Sequence, residues 1–168
     1  MTKVLVVAEH DGRALSPATA RTLRCATSIP GAEVSIVVFA IAGAALAAEA
    51  AALEGVHGVL HVDDTAHAHP LAALIAPQLA ELAAGFTHVL APATTFGRDL
   101  LPRVAALLGT VQVSEVMAVE TATRFRRPIY AGNAVATVEV DATPVVATVR
   151  IASFEPAATG AARAPIAQ

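Results

Sequence analysis

The sequence has 168 residues, 55% of them apolar and 15% charged, with a formal net charge of −3. That length fits one domain around one substantial core, and the lack of any basic run points away from nucleic acid as a partner. The single Cys25 excludes an intramolecular disulfide and suits a reducing compartment, so a cytoplasmic location is expected.

The N-terminal run MTKVLVVAEHDG holds an apolar stretch too short for a signal-peptide core and shows no cleavage site. Lys3–Glu9 is nearly continuous in β-branched and aliphatic residues, as expected of a strand covered on both faces. HDGRALS is a loop. Ser16 as N-cap and Pro17 at the first helical position then open a helix through SPATARTLRCATSI. PGAEVSIVVFA turns at Pro30–Gly31 and enters a second buried strand. Val34 to Leu53 is apolar for long enough to raise the question of a membrane span. Gly43 and Glu49 interrupt it, and its period changes from β-rich to helical, so it reads as strand then helix, with no membrane insertion. The helix GAALAAEAAALEG closes at Gly55.

GVLHVDD is a third strand. Pro70 opens a helix with Leu71, Leu74, Ile75, Leu79 and Leu82 at helical spacing, closed by Gly85. THVLAPA is a fourth strand, and GRDLLPRVAALLG a helix ending at Gly109. Four strand–helix alternations predict a parallel sheet with helices on both faces. The last third loses the helical period. Strands are expected at Glu115–Glu120, Arg126–Tyr130, Ala134–Val140 and Val145–Ile151, paired antiparallel because their spacers are short. Residues 1–154 are expected as one domain, and the Pro/Ala/Gly-rich 155–168 as a linker or frayed tail, which suggests a further domain beyond it.

Few stretches carry chemistry. The first strand–helix turn, EHDGRALS, lacks the GxGxxG dinucleotide fingerprint, and no Walker pattern occurs. Asp63, Asp64, His67 and His69 have metal-ligand chemistry, but they also suit a polar loop with Pro70 opening a helix, and no third well-spaced ligand follows. No metal is expected. Ser16, His10 and Asp11 have the types of a hydrolase triad, yet no nucleophile elbow exists and Ser16 is explained as a cap. RFRRPIY clusters Arg124, Arg126 and Arg127 with Phe125 and Tyr130. It reads as an edge kept in solution by charge, or as a contact surface. The turn PATTFGRD offers two hydroxyls, a glycine and helix-start amides, which suit either a phosphate or adenosine, or a helix cap.

Four stretches, VLVVAEHDGRALSPAT, HVDDTAHAHPLAALIAPQLAELA, HVLAPATTFGRDLLPRVAALLG and RPIYAGNAVATV, resemble the N-terminal part of the α subunit of electron transfer flavoprotein, in order and spacing across Lys3–Phe154. The resemblance implies a three-layer α/β sandwich with a mostly parallel sheet, similar to the adenine-nucleotide-hydrolase and Rossmann folds, with an antiparallel C-terminal extension. It implies no catalysis by this chain and no catalytic residue. It implies FAD in a C-terminal part whose SGGRG-like stretch is not in this sequence, so no FAD ligand is carried over. It implies AMP in the β subunit, at the loop corresponding to Thr94, Thr95, Phe96, Gly97, Arg98 and Asp99. In this chain Thr94, Thr95, Gly97, Arg98 and Asp99 are then a vestigial nucleotide-type turn that caps a helix.

The implied role is a scaffold that pairs with the β subunit as a heterodimer and carries a mobile FAD domain. Dehydrogenases and a quinone-linked oxidoreductase are reached through the full complex, which passes electrons to the respiratory chain. Arg126, Arg127 and Tyr130 are the expected interface residues. Two rivals differ in class: a stand-alone adenine-nucleotide-binding module using Thr94–Asp99 with Glu9–Ser16, and a small enzyme using His67 and His69.

Overall fold

The computed structural model describes residues 1–168. In chain order the elements are β1 (Thr2–Val7), α1 (Pro17–Thr27), β2 (Ala32–Ala40), α2 (Ala44–Ala51), β3 (Val56–Asp63), α3 (Ala72–Ala83), β4 (His88–Pro92), α4 (Thr95–Leu107), β5 (Gln112–Val116), β6 (Ala118–Val119), β7 (Arg124–Ile129), β8 (Ala134–Glu139), β9 (Val145–Val149) and β10 (Ile166–Ala167). Seven strands form one sheet in the order β10-β3-β2-β1-β4-β9-β5, and β6-β7-β8 form a second. Every pairing in the large sheet is parallel, and both pairings in the small one are antiparallel.

Alternation along the strands divides the core. Val4 and Val6 of β1, with Ile36 and Val38 of β2, pack towards α1 and α2. Leu5 and Val7, with Val37 and Phe39, pack towards α3 and α4. A strand buried on both faces must be apolar at every position, which is why these segments read as unbroken hydrophobic runs. The small sheet extends the first of these cores, with Phe125 and Val140 buried against Val113, Val145 and Val149. No helix is long and apolar enough to cross a membrane.

Three expectations are corrected. The last third is not antiparallel throughout: β9 inserts between β4 and β5 in parallel register, His88 opposite Val145 and Gln112 opposite Val146. The strand expected at Glu115–Glu120 is therefore divided between two sheets, β5 and β6. Local spacing favours hairpins, but the free apolar edge of β4 offers Val145–Val149 burial on both faces, and all five residues are buried. The third helix begins at Ala72 rather than Pro70, because a 3₁₀ turn over Thr65–Ala68 and extended backbone at His69 and Leu71 come first. Leu71 and Leu74 lie exposed, while Ile75 and Leu79 fill the core. The final segment is not frayed. Glu54 N donates to Ala158 O at 2.8 Å, Gly160 N to Ala52 O at 2.8 Å and Val59 N to Pro165 O at 2.9 Å, and β10 covers the edge of β3. An open strand edge gains these bonds from any extended chain that reaches it.

Candidate functional site

In the large sheet the chain runs outward from β1 through β2 to β3, then returns to place β4 on the other side of β1. The reversal opens a crevice beyond the C-terminal ends of β1 and β4, where open α/β sheets bind ligands. Here it is a cavity of about 80 Å³, lined by Ala8, Glu9, His10, Phe39, Pro70, Ile75 and Phe96. Nucleotide-sized ligands need roughly 300 Å³ or more. Phe96, at the first turn of α4, lies in this lining with Phe39 and Ile75.

The turn after β4 is spent on local structure. Thr94 Oγ1 accepts from Gly97 N at 3.5 Å and caps α4. Gly97 brings the helix hard against the strand: a Cβ built there would lie 2.0 Å from Pro92 O. Glycine is needed for this close approach, the packing role rather than the phosphate-cradling one. Arg98 pairs with Glu115 across the top of the sheet, and Asp99 Oδ1 accepts from Arg103 Nε at 3.2 Å. Thr95 is exposed. These residues offer an adenylate or a flavin no free charged group, because Arg98 and Asp99 are both already paired.

The polar loops beside the crevice are committed in the same way. His10 Nε2 lies 2.8 Å from Phe39 O, and Gly12 N donates to His10 Nδ1 at 3.1 Å. Asp11 Oδ1 accepts from Arg13 N at 2.8 Å and Ala14 N at 2.9 Å, and these backbone donors hold its carboxyl below the usual range. Ser16 Oγ accepts from Ala18 N at 3.3 Å. Each member of the possible triad is therefore tied to backbone.

Three of the four metal-type side chains take separate structural tasks. Asp63 Oδ1 accepts from Ala42 N at 2.9 Å, and Asp64 Oδ1 from Ala66 N at 2.8 Å. Buried His67 has Nδ1 3.2 Å from Val62 O and Nε2 3.1 Å from Gln78 Oε1. His69 is exposed and lines a pocket of about 320 Å³ with His10, Asp11 and His67. That pocket contains a carboxylate and no Lys or Arg, an unfavourable field for a phosphate.

The Arg/Tyr stretch is built differently. Arg127 Nε donates to Ser114 O at 2.8 Å and its Nη2 to Ser114 Oγ at 2.7 Å, which ties the small sheet to β5. Arg126 faces solvent, and Tyr130 is 79% exposed. Tyr130 and Ala131 sit at φ +49° and +53°, a left-handed turn that side chains adopt at a cost. Sequence reasoning passed over Glu115 and Arg150. Glu115 has φ +57° at the register shift in β5, and its N donates to buried Thr148 Oγ1 at 3.0 Å. Nothing in the local pattern marks either residue; they meet only because β9 inserts beside β5.

Comparison with known proteins bears on this geometry. Residues 4–168 match the family model described as electron transfer flavoprotein domain. The electron transfer flavoprotein subunit alpha of Pseudomonas aeruginosa is 46% identical over 165 residues, covering 98% of this chain and 53% of its own length. The mitochondrial subunit alpha of Dictyostelium discoideum is 37% identical, with 96% and 48% covered, and that of Paracoccus denitrificans 38% identical, with 94% and 51% covered. The chain spans about half the length of the curated relatives it matches.

Proposed function

The chain belongs to the electron transfer flavoprotein domain family, and on that premise we propose that it is the N-terminal scaffold domain of a subunit alpha, supporting FAD-mediated electron transfer without catalysis of its own. Its partner in this reading is the β subunit, and the two form the base on which a mobile FAD domain is carried. Dehydrogenases deliver electrons to the assembled complex, and a quinone-linked oxidoreductase receives them. FAD is held by the other half of the α subunit and AMP by the β subunit, in a cytoplasmic complex. Residues 155–168 act as the strap that leads towards the FAD domain.

The observation that carries the scaffold reading is the commitment of the switch-point turn to local structure. In a domain of nucleotide-binding topology, a turn whose Gly97 serves helix packing, whose Thr94 caps α4 and whose Arg98 and Asp99 are paired supports a fold kept for packing rather than for a ligand. Arg126 and Tyr130 are exposed at the small sheet, as in a docking surface. The paired charges of the Thr94–Asp99 turn and the absence of Lys or Arg from the adjoining pocket disfavour the stand-alone nucleotide module, and the committed ring nitrogens of His67 disfavour an enzyme built on that loop.

The test is a titration of FAD with the purified chain, followed by flavin fluorescence, alone and after adding the β subunit, with complex formation followed by size. Co-elution with the β subunit and no quenching by the chain alone is the expected outcome. Saturable quenching by the chain alone would place flavin in this domain and overturn the reading. Calorimetric heat from AMP at about millimolar concentration would do the same in favour of the nucleotide module.

A further inference from the structure

Beside the Tyr130 turn lies a pocket of about 230 Å³, lined by Glu115, Pro128, Ala131, Gly132 and Arg150. Arg150 follows β9 directly, and its backbone N donates to Val116 O at 2.9 Å, which fixes the root of the side chain. The residue is half-buried. Its guanidinium takes no part in the ion pairs of the fold, which join Arg98 to Glu115, Arg103 to Asp99 and Arg124 to Glu139. Nor does it join the arginine side-chain hydrogen bonds, which belong to Arg21, Arg98, Arg103, Arg124, Arg127 and Arg163. A half-buried guanidinium has lost part of its hydration, and a planar acceptor such as a carboxylate restores it.

The surroundings favour an anion. The one carboxylate of the lining, Glu115, is matched by Arg98, which leaves the Arg150 guanidinium as the unpaired charge of the pocket. One wall is the left-handed turn Tyr130–Ala131–Gly132, at φ +49°, +53° and +93°. That turn holds the only tyrosine of the chain out into solvent, next in sequence to the Ala131 of the lining. The volume is below what a nucleotide-sized ligand needs, about 300 Å³, and suits a single acidic side chain.

We propose that this pocket receives an Asp or Glu side chain of a protein partner, with the carboxylate on Arg150 and Tyr130 packed beside it as an aromatic anchor. The inference rests on the scaffold reading above: the partner is the β subunit, and the pocket is where its surface is held in register.

The test is calorimetric titration of the chain against the β subunit of the same flavoprotein, at about 50 and about 500 mM salt. Arg150→Gln is expected to weaken association roughly 30-fold and to remove most of its salt dependence. Tyr130→Ala is expected to weaken it about tenfold. Arg24→Gln, on the exposed side of α1, should bind as the unaltered chain does. Tyr130 is exposed, so its variant decides the matter even if Arg150→Gln melts early. Association indifferent to both residues overturns the pocket while leaving the scaffold reading intact. No association by the unaltered chain overturns the scaffold reading and the pocket with it. Saturable binding of inorganic phosphate alone, lost in Arg150→Gln while subunit association is unchanged, makes this a free-anion site and also overturns the proposal.

Discussion

Gly97 shows how one residue can look functional and be structural. Its place in a strand-to-helix turn suits a phosphate loop, but what it meets is the Pro92 carbonyl, 2.0 Å from where a Cβ would stand. Both partners are backbone, so neither can swing aside as a flexible side chain would. Gly97→Ala is expected to destabilise the fold by about 2–3 kcal/mol, as overpacking at a tight helix–strand contact does. A urea midpoint equal to that of the unaltered chain would remove this account. Cys25 is structural as well: burial pushes its thiol up to about 12, out of the range where a thiolate forms at neutral pH.

At the scale of elements, His88 decides how the small sheet is attached. It begins β4, lies buried, and its Nε2 sits 2.6 Å from Ala122 O in the segment that leads into β7. Its ring meets Phe125 edge-on, with centroids 6.5 Å apart. Burial lowers its pKa from the ordinary 6.5, and the bond to Ala122 opposes that in part. The unfolded chain therefore binds this proton more readily than the folded one, and stability rises with pH where the unfolded His88 is protonated and the folded one is not. The contribution is complete above about pH 6.5 and is lost as pH falls from there towards the folded value. His88→Gln is expected to flatten the decline of the melting temperature as pH falls below about 6.5 relative to the unaltered chain, and parallel pH profiles would exclude the effect. The strand β10 makes a related point about attachment. Two residues suffice to close an edge because the preceding segment is already laid down by backbone bonds to Ala51, Ala52 and Glu54.

For the whole molecule, charge contributes little to folding. The three ion pairs lie at the surface, with side-chain exposures of 60 and 33%, 54 and 60%, and 47 and 52%. Exposed pairs of this kind are worth about 0–1 kcal/mol and are screened by salt. Stability comes instead from the two apolar layers on either side of the large sheet. Raising salt to about 0.5 M should move the thermal midpoint by no more than about 2 °C. A large fall would show that the Arg98–Glu115 pair, bridging the top of the sheet, matters more than its exposure implies.

Periodicity alone determined much of this protein. The alternation of β-branched runs with Ala-rich helical segments, the Ser16–Pro17 start and the Gly55 and Gly109 stops are local properties, and each element they announce is present. The quoted stretches also carried the family, because long runs of residue identity survive where short motifs do not. The placement of β9 could not be read in the same way. Val145–Val149 is compatible with a hairpin partner or a parallel one, and its choice depends on the buried edge that β4 offers from more than fifty residues earlier. The fate of the crevice depends on how close α4 comes to β4, a distance set by packing around Gly97 and Phe96. The pocket at Arg150 has the same origin. Arg150 and Glu115 lie far apart along the chain, and the insertion of β9 beside β5 brings them to one pocket, since contacts between distant residues are fixed by the pairing of whole elements.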